Sequence, residues 1–153
     1  MTVSHESDAP SCSRVEGTLI ATARVVRGAY DSALAPIGIN LAEATVLAHL
    51  GSSGALTQVE LARRIGTGKA RIGAYIDSLQ AANAVQRQPD PSDRRAWRVS
   101  LTDKGHELWA SSRTIDRSVR RRLRKGISPR QLDLLDATLV RIEQNLTDDE
   151  PVR

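Results

Sequence analysis

The chain has 153 residues, 40% of them hydrophobic and 26% charged, which is the composition of one globular domain rather than of a disordered or fibrous chain. Phe is absent and aromatic residues make up only 3%, so a core has to be built from Leu, Ile, Val and Ala. No apolar run is long enough to cross a bilayer, the polar first residues lack the apolar stretch of a secretion signal, and the lone Cys12 excludes an internal disulfide. The expectation is a cytoplasmic protein with no membrane attachment.

The net charge is +4, and its distribution says more than its size. Between Thr57 and Ser100 stand Arg63, Arg64, Lys69, Arg71, Arg87, Arg94, Arg95 and Arg98, against Glu60, Asp77, Asp90 and Asp93. This segment carries the whole excess, and a local basic surface is the electrostatic footprint of a nucleic-acid binder.

In chain order, residues 1–13 read as a disordered tail. A first helix is expected over residues 14–35, where Leu19, Ala23, Val26, Tyr30 and Ala33 recur at steps of four and three; Pro36 and Gly38 end it. Asn40 is the expected N-cap of a second helix that ends at Gly51, with Gly54 beyond. Thr57-Gln58-Val59-Glu60 is a capping box and opens a short third helix over residues 58–65. Gly66 and Thr67 then turn the chain into a fourth helix, residues 69–82, whose buried face is Ile72, Ile76 and Leu79. Two strands follow, residues 85–88 and 97–101, joined by the charged tip Pro89-Asp90-Pro91-Ser92-Asp93-Arg94-Arg95. Thr102 caps a long fifth helix over residues 103–125, which Gly126 stops. Ser128, Pro129 and Gln131 are start signals for a last helix with Leu132, Leu135, Leu139, Ile142 and Leu146 on one face. Residues 148–153 read as a second disordered tail.

Two helices joined by a short glycine-containing turn, the second of them basic, make a helix-turn-helix. The major groove accepts one helix while the preceding one braces it. The groove-facing candidates are Lys69, Arg71, Gly73, Ala74 and Tyr75, with Arg71 suited to a bidentate contact with guanine and the small residues permitting close approach. The hairpin that follows is a second DNA-contacting element in the right place. Arg94 and Arg95 at its tip suit the negative potential of a minor groove, and Asp93 can hold an arginine extended by a charge-assisted hydrogen bond.

The run LTQVELARRIGTGKARIGAYIDSLQAANAVQRQPDPSDRRAWRVSLTDKG, residues 56–105, resembles the core of the MarR family of winged helix-turn-helix transcriptional regulators. The matching pieces are LTQVELARRIG, the IDSL step, the DPSDRR wing tip and the VSLTDKG start of the fifth helix. The flanking helices fit the family's layout. The resemblance implies a mainly α fold: a winged helix-turn-helix (residues 41–101) with a two-stranded β-wing, between long dimerisation helices (14–35 and 103–147), all within one domain over residues 14–147. It further implies a homodimer on a pseudo-palindromic operator in double-stranded DNA, with Asp93 and Arg95 as the wing pair. It implies repression relieved by a small aromatic or phenolic effector. Arg24, Arg27, Tyr30 and Trp109 lie on the helices that would border the effector pocket, the arginines suited to a carboxylate and the rings to an aromatic wall. The chain departs from the family in carrying Gly68 at the start of the recognition helix and Gly73 and Ala74 on its groove face, which leaves base readout mainly to Lys69 and Arg71.

Other constellations carry less. His5, His49 and His106 are scattered and form no metal-ligand pattern, Cys12 reads as an incidental thiol, and Gly66-Thr67-Gly68-Lys69 lacks the remainder of a phosphate loop. No catalytic arrangement and no cofactor motif is readable. The basic run from Arg117 to Lys125 reads as a complement to a helix C-terminus. The rival reading from another class is a winged-helix protein-interaction module, an anti-repressor that does not bind DNA.

Overall fold

The computed structural model describes residues 12–91, 93 and 96–147. The chain divides into two compact units, one through Val119 and one from Arg120 onward. Of the two expected tails, only Cys12 and Ser13 fall within the described residues, and they open the first helix.

The first unit holds α1 (Cys12–Leu34), a 3₁₀ turn (Ala35–Ile37), α2 (Leu41–Ser53), β1 (Leu56–Thr57), α3 (Gln58–Ile65), α4 (Lys69–Ala81), β2 (Val85–Pro89), β3 (Trp97–Leu101) and most of α5 (Asp103–Leu123). Local chemistry starts most of these elements. Asn40 and Glu43 close a full capping box on α2, and Asp31 of α1 accepts the Leu41 amide at 2.8 Å. Thr57 and Glu60 do the same for α3, and the Thr102 hydroxyl accepts the Gly105 amide at 3.1 Å at the start of α5. Gly66 (φ 69°) and Asn83 (φ 56°) take the left-handed conformations that end α3 and turn α4 into the wing.

Two expectations are corrected. The second helix does not stop at Gly51 but runs to Ser53, and Gly54 caps it by donating to the Leu50 carbonyl. Gly51 serves packing instead: a Cβ there would lie 2.4 Å from the Trp109 ring. The sheet has three strands rather than two, in the order β1-β3-β2, because Leu56 and Thr57 pair antiparallel with Val99 and Arg98. A two-residue strand has no periodicity of its own and exists only through its partner. The expected hairpin is present, with Val85 opposite Leu101 and Pro89 opposite Trp97.

The core is aliphatic. Val46, Leu47 and Leu50 of α2, Leu61 of α3, Ile72, Ile76 and Leu79 of α4, and Leu56, Val85 and Val99 of the sheet are buried together, with Tyr30, Tyr75, Leu108, Trp109 and Ile115 against them. Glu43 is buried as well, its second oxygen accepting the Ser78 hydroxyl at 2.6 Å, which ties the cap of α2 to α4.

The second unit contains the last turn of α5, a left-handed turn at Gly126 and α6 (Pro129–Thr147), started by Ser128 and Gln131 through reciprocal hydrogen bonds. None of the α6 residues is buried. Its apolar residues remain open, Leu134 at 69% and Leu146 at 75% exposure, and Leu123, Ile127, Leu132, Leu135 and Leu139 line a depression of about 710 Å³. On α1, Val15, Ile20 and Val25 are exposed in the same way. Among the described residues no single helix is long and apolar enough to cross a membrane; α1 and α2 reach that composition only as a pair bent by 73°.

Candidate nucleic-acid interface

The candidate recognition helix α4 is seated by Ile72, Ile76 and Leu79, all fully buried, so its register against the core is set by three side chains on one face. That seating leaves Lys69, Arg71 and Ala74 exposed. Gly68 precedes the helix in an extended conformation and supplies no side-chain cap. Tyr75 is half-buried against the core. Gly73 is half-buried too, and the space left by its missing side chain is taken by Gln58 of α3. The Gln58 amide donates to the Lys69 carbonyl at 3.0 Å, and a Cβ at residue 73 would lie 3.0 Å from Gln58 Nε2. The first residue of α3 therefore braces the first turn of α4.

α3 is held at its start by electrostatics. The Glu60 carboxylate accepts from the Thr57 amide at 2.7 Å and from the Thr57 hydroxyl at 2.9 Å. These bonds hold it below the usual carboxylate range, with the nearby charges of Arg98 and Arg64 acting in the same direction.

The wing is anchored by a pair that the sequence reading did not single out. Asp90 is only 7% exposed, and its carboxylate accepts from Arg98 Nε at 2.7 Å and from the Asp93 amide at 3.3 Å. Arg98 also reaches the Ala55 carbonyl ahead of β1, and Asp90 keeps its guanidinium further above its ordinary pKa, first by the hydrogen bond and then by charge. Two backbone bonds close the tip: the Asp90 amide donates to the Ala96 carbonyl and the Ala96 amide to the Asp93 carbonyl, both at 2.9 Å. Asp93 is exposed at that tip. Arg94 and Arg95 lie outside the described residues. The one available signal for the anchor was Asp90 eight residues before Arg98, on either side of a tight turn.

At the base of the wing, Arg87 of β2 bonds Asp77 at 2.5 Å and Gln80 at 2.6 Å, both on the C-terminal half of α4. The wing is thus tied at its root to α4 and near its tip to the segment before β1. The LTDKG segment has a packing reason. Thr102 bonds the carbonyls of Asn83 and Ala84, and a Cβ at Gly105 would lie 2.0 Å from the Ala84 carbonyl oxygen, so α5 can start against the end of α4 only with glycine there.

The four candidate effector residues are not equivalent. Tyr30 and Trp109 both pack against the core; the Tyr30 hydroxyl donates to Asp116 at 2.9 Å, and Arg113 sits 5.5 Å from the Trp109 ring centroid. Arg24 and Arg27 are exposed on α1.

Residues 37–96 match the MarR family model. The fold is similar to that of a mutant MarR from E. coli complexed with operator DNA (TM-score 0.77, 23% identity, covering 82% of this chain and 91% of that one). It is also similar to a MarR-family transcriptional regulator from Rhodococcus sp. RHA1 (TM-score 0.76, 22% identity, 94% and 99% covered). CouR from Rhodococcus jostii RHA1, bound to p-coumaroyl-CoA, matches at a TM-score of 0.75 and 24% identity over 91% of this chain and 95% of its own. The resemblance to the MarR family read from the wing and helix motifs holds, and the fold is the family's winged helix.

Proposed function

From the MarR-family transcriptional-regulator fold, we propose that this chain is a sequence-specific double-stranded DNA-binding regulator, a repressor that acts as a homodimer on a pseudo-palindromic operator. The observation that carries the reading is a basic helix and a braced wing built on one core. Lys69 and Arg71 stand exposed on the first turn of α4, and the Asp90–Arg98 pair fixes the hairpin that bears Asp93, Arg94 and Arg95. In this reading Arg71 and Lys69 enter the major groove and Arg95 the minor groove. The open apolar face of α6 and the exposed valines and isoleucine of α1 support a second copy of the chain, since such faces are costly in water. A small aromatic or phenolic effector releases the DNA by favouring a different spacing of the two recognition helices, a reading supported by CouR, which is bound to p-coumaroyl-CoA. Tyr30, Trp109, Arg24 and Arg27 are the residues assigned to it.

The test is fluorescence anisotropy of the purified chain with a duplex selected from random sequence, with excess competitor DNA and a salt series. Two chains per site are expected, with affinity falling steeply as salt rises. Arg95→Ala is expected to lower operator affinity by about 1–3 kcal/mol; unchanged affinity would remove Arg95 from the interface.

One observation favours the rival. Val59 of α3 and Trp97 of β3 are 60% and 55% exposed near the proposed DNA face, which suits an apolar protein partner. Such a partner would bind with little salt dependence, and no selected duplex would be recovered.

A further inference from the structure

Between α4 and the wing lies a depression of about 380 Å³ lined by Gln58, Gln80, Arg87 and Trp97, one residue from each of α3, α4, β2 and β3. Its chemistry is one-sided. Arg87 carries five N–H donors and uses one of them on Asp77 and one on Gln80. Gln80 spends its carbonyl oxygen on Arg87, which leaves its amide hydrogens. Gln58 uses one amide hydrogen on the Lys69 carbonyl and keeps the other. Trp97 adds an indole N–H and an apolar ring that is more than half exposed. The lining is rich in donors and carries one cation. Among the described residues, Asp77 is the only carboxylate bonded to it, and it is already engaged by Arg87.

We propose that this depression is a seat for a DNA backbone phosphate, with Arg87 making the charged contact, Gln58 and Gln80 donating beside it, and the Trp97 ring packing on the adjoining deoxyribose. The inference rests on the DNA-binding reading above. With one element in the major groove and the other in the neighbouring minor groove, the strand that separates the two grooves must pass between α4 and the wing, where this depression lies. Phosphate contacts fix register rather than sequence, so the seat orients Arg71 and the wing arginines on the duplex.

The alternative role for Arg87 is purely structural, a brace between wing and helix through Asp77. The two roles respond oppositely to one substitution. As a phosphate ligand, one per chain of the proposed dimer, Arg87→Ala lowers operator affinity about sixtyfold at about 0.1 M salt and reduces the slope of log K on log salt by about 1.8, while Asp77→Asn, which frees the guanidinium, leaves affinity unchanged or higher. As a brace, both variants lose affinity together and the slope stays at the wild-type value. Tryptophan fluorescence supplies a second readout, since the chain has only Trp97 and Trp109. Saturating duplex is expected to shield emission from acrylamide in the wild type and to have no such effect in Trp97→Phe, whose exposed position makes it a mild change. Joint loss in Arg87→Ala and Asp77→Asn at unchanged slope, or a Trp97 that stays open to acrylamide in the complex, overturns the seat while leaving the regulator reading intact. A wild-type chain that binds no duplex at about 0.05 M salt overturns both.

Discussion

The winged-helix region and the last helix are built from the same few aliphatic residue types and end in opposite states. In the winged region Leu61, Ile72, Ile76 and Val99 are completely or almost completely buried, and three of its carboxylates are tied down as well: Glu43 to Ser78, Glu60 to Thr57 and Asp90 to Arg98. In α6 the periodicity is as clear, yet Leu134, Leu135, Leu139, Val140 and Leu146 all face water. An apolar stripe at helical spacing records that a face is to be covered; it does not record by what. The winged region covers its own. The stripe on α6 needs another surface, and we assign that role to the second chain of the proposed dimer.

Charging α6 tests the contrast most severely. Leu135→Glu with Leu139→Glu is expected to take the protein from a dimer to a species of 16.6 kDa in sedimentation velocity and to abolish two-chain operator binding, with α-helical circular dichroism of the winged region retained. An unchanged mass would mean that this face is not the one that pairs.

Next in size is a cavity in the winged core. Ile76→Ala removes a fully buried side chain from α4 and is expected to cost about 2–5 kcal/mol in urea unfolding, independent of protein concentration. A smaller loss is expected from Gly105→Ala, whose Cβ would collide with the Ala84 carbonyl and force α5 away from the end of α4, costing about 1–3 kcal/mol. Both should act on the winged region's unfolding transition and leave the mass of the assembly unchanged.

The smallest effect is a pH dependence. Glu60 has its folded pKa below the ordinary value, so its contribution to stability is complete above the normal carboxylate range and is lost as pH falls through the lowered folded value. Thr57→Ala removes the hydroxyl partner and is expected to cost about 1 kcal/mol at neutral pH. It should also flatten the acid limb of the stability profile; an equally steep limb in Thr57→Ala would assign the acid sensitivity to other carboxylates.

Much of the fold was legible because it is local. Asn40, Thr57, Thr102 and Ser128 sit within three residues of the amides they cap, Asn83 needs only its own backbone to turn left-handed, and the steps of three and four in α4 and α6 are properties of one helix. The exposure of Lys69 and Arg71 followed directly, since the buried stripe of α4 leaves them outside. Gly73 was legible only as a small residue; that Gln58, fifteen positions earlier, fills the space beside it depends on how α3 crosses α4.

By itself, then, the sequence determined the order and type of the helices, the hairpin, the basic character of the middle segment and the resemblance to the MarR family, because each is written in neighbouring residues or in a contiguous motif. Only the tertiary structure decided that Leu56 and Thr57 become a strand, that Asp90 anchors Arg98, that Arg87 ties β2 to α4, and that Gly51 and Gly105 make room for Trp109 and Ala84. The physical reason is the same in each case. These are contacts between side chains or strands brought together by chain reversal, and their energies depend on distances that no local pattern encodes.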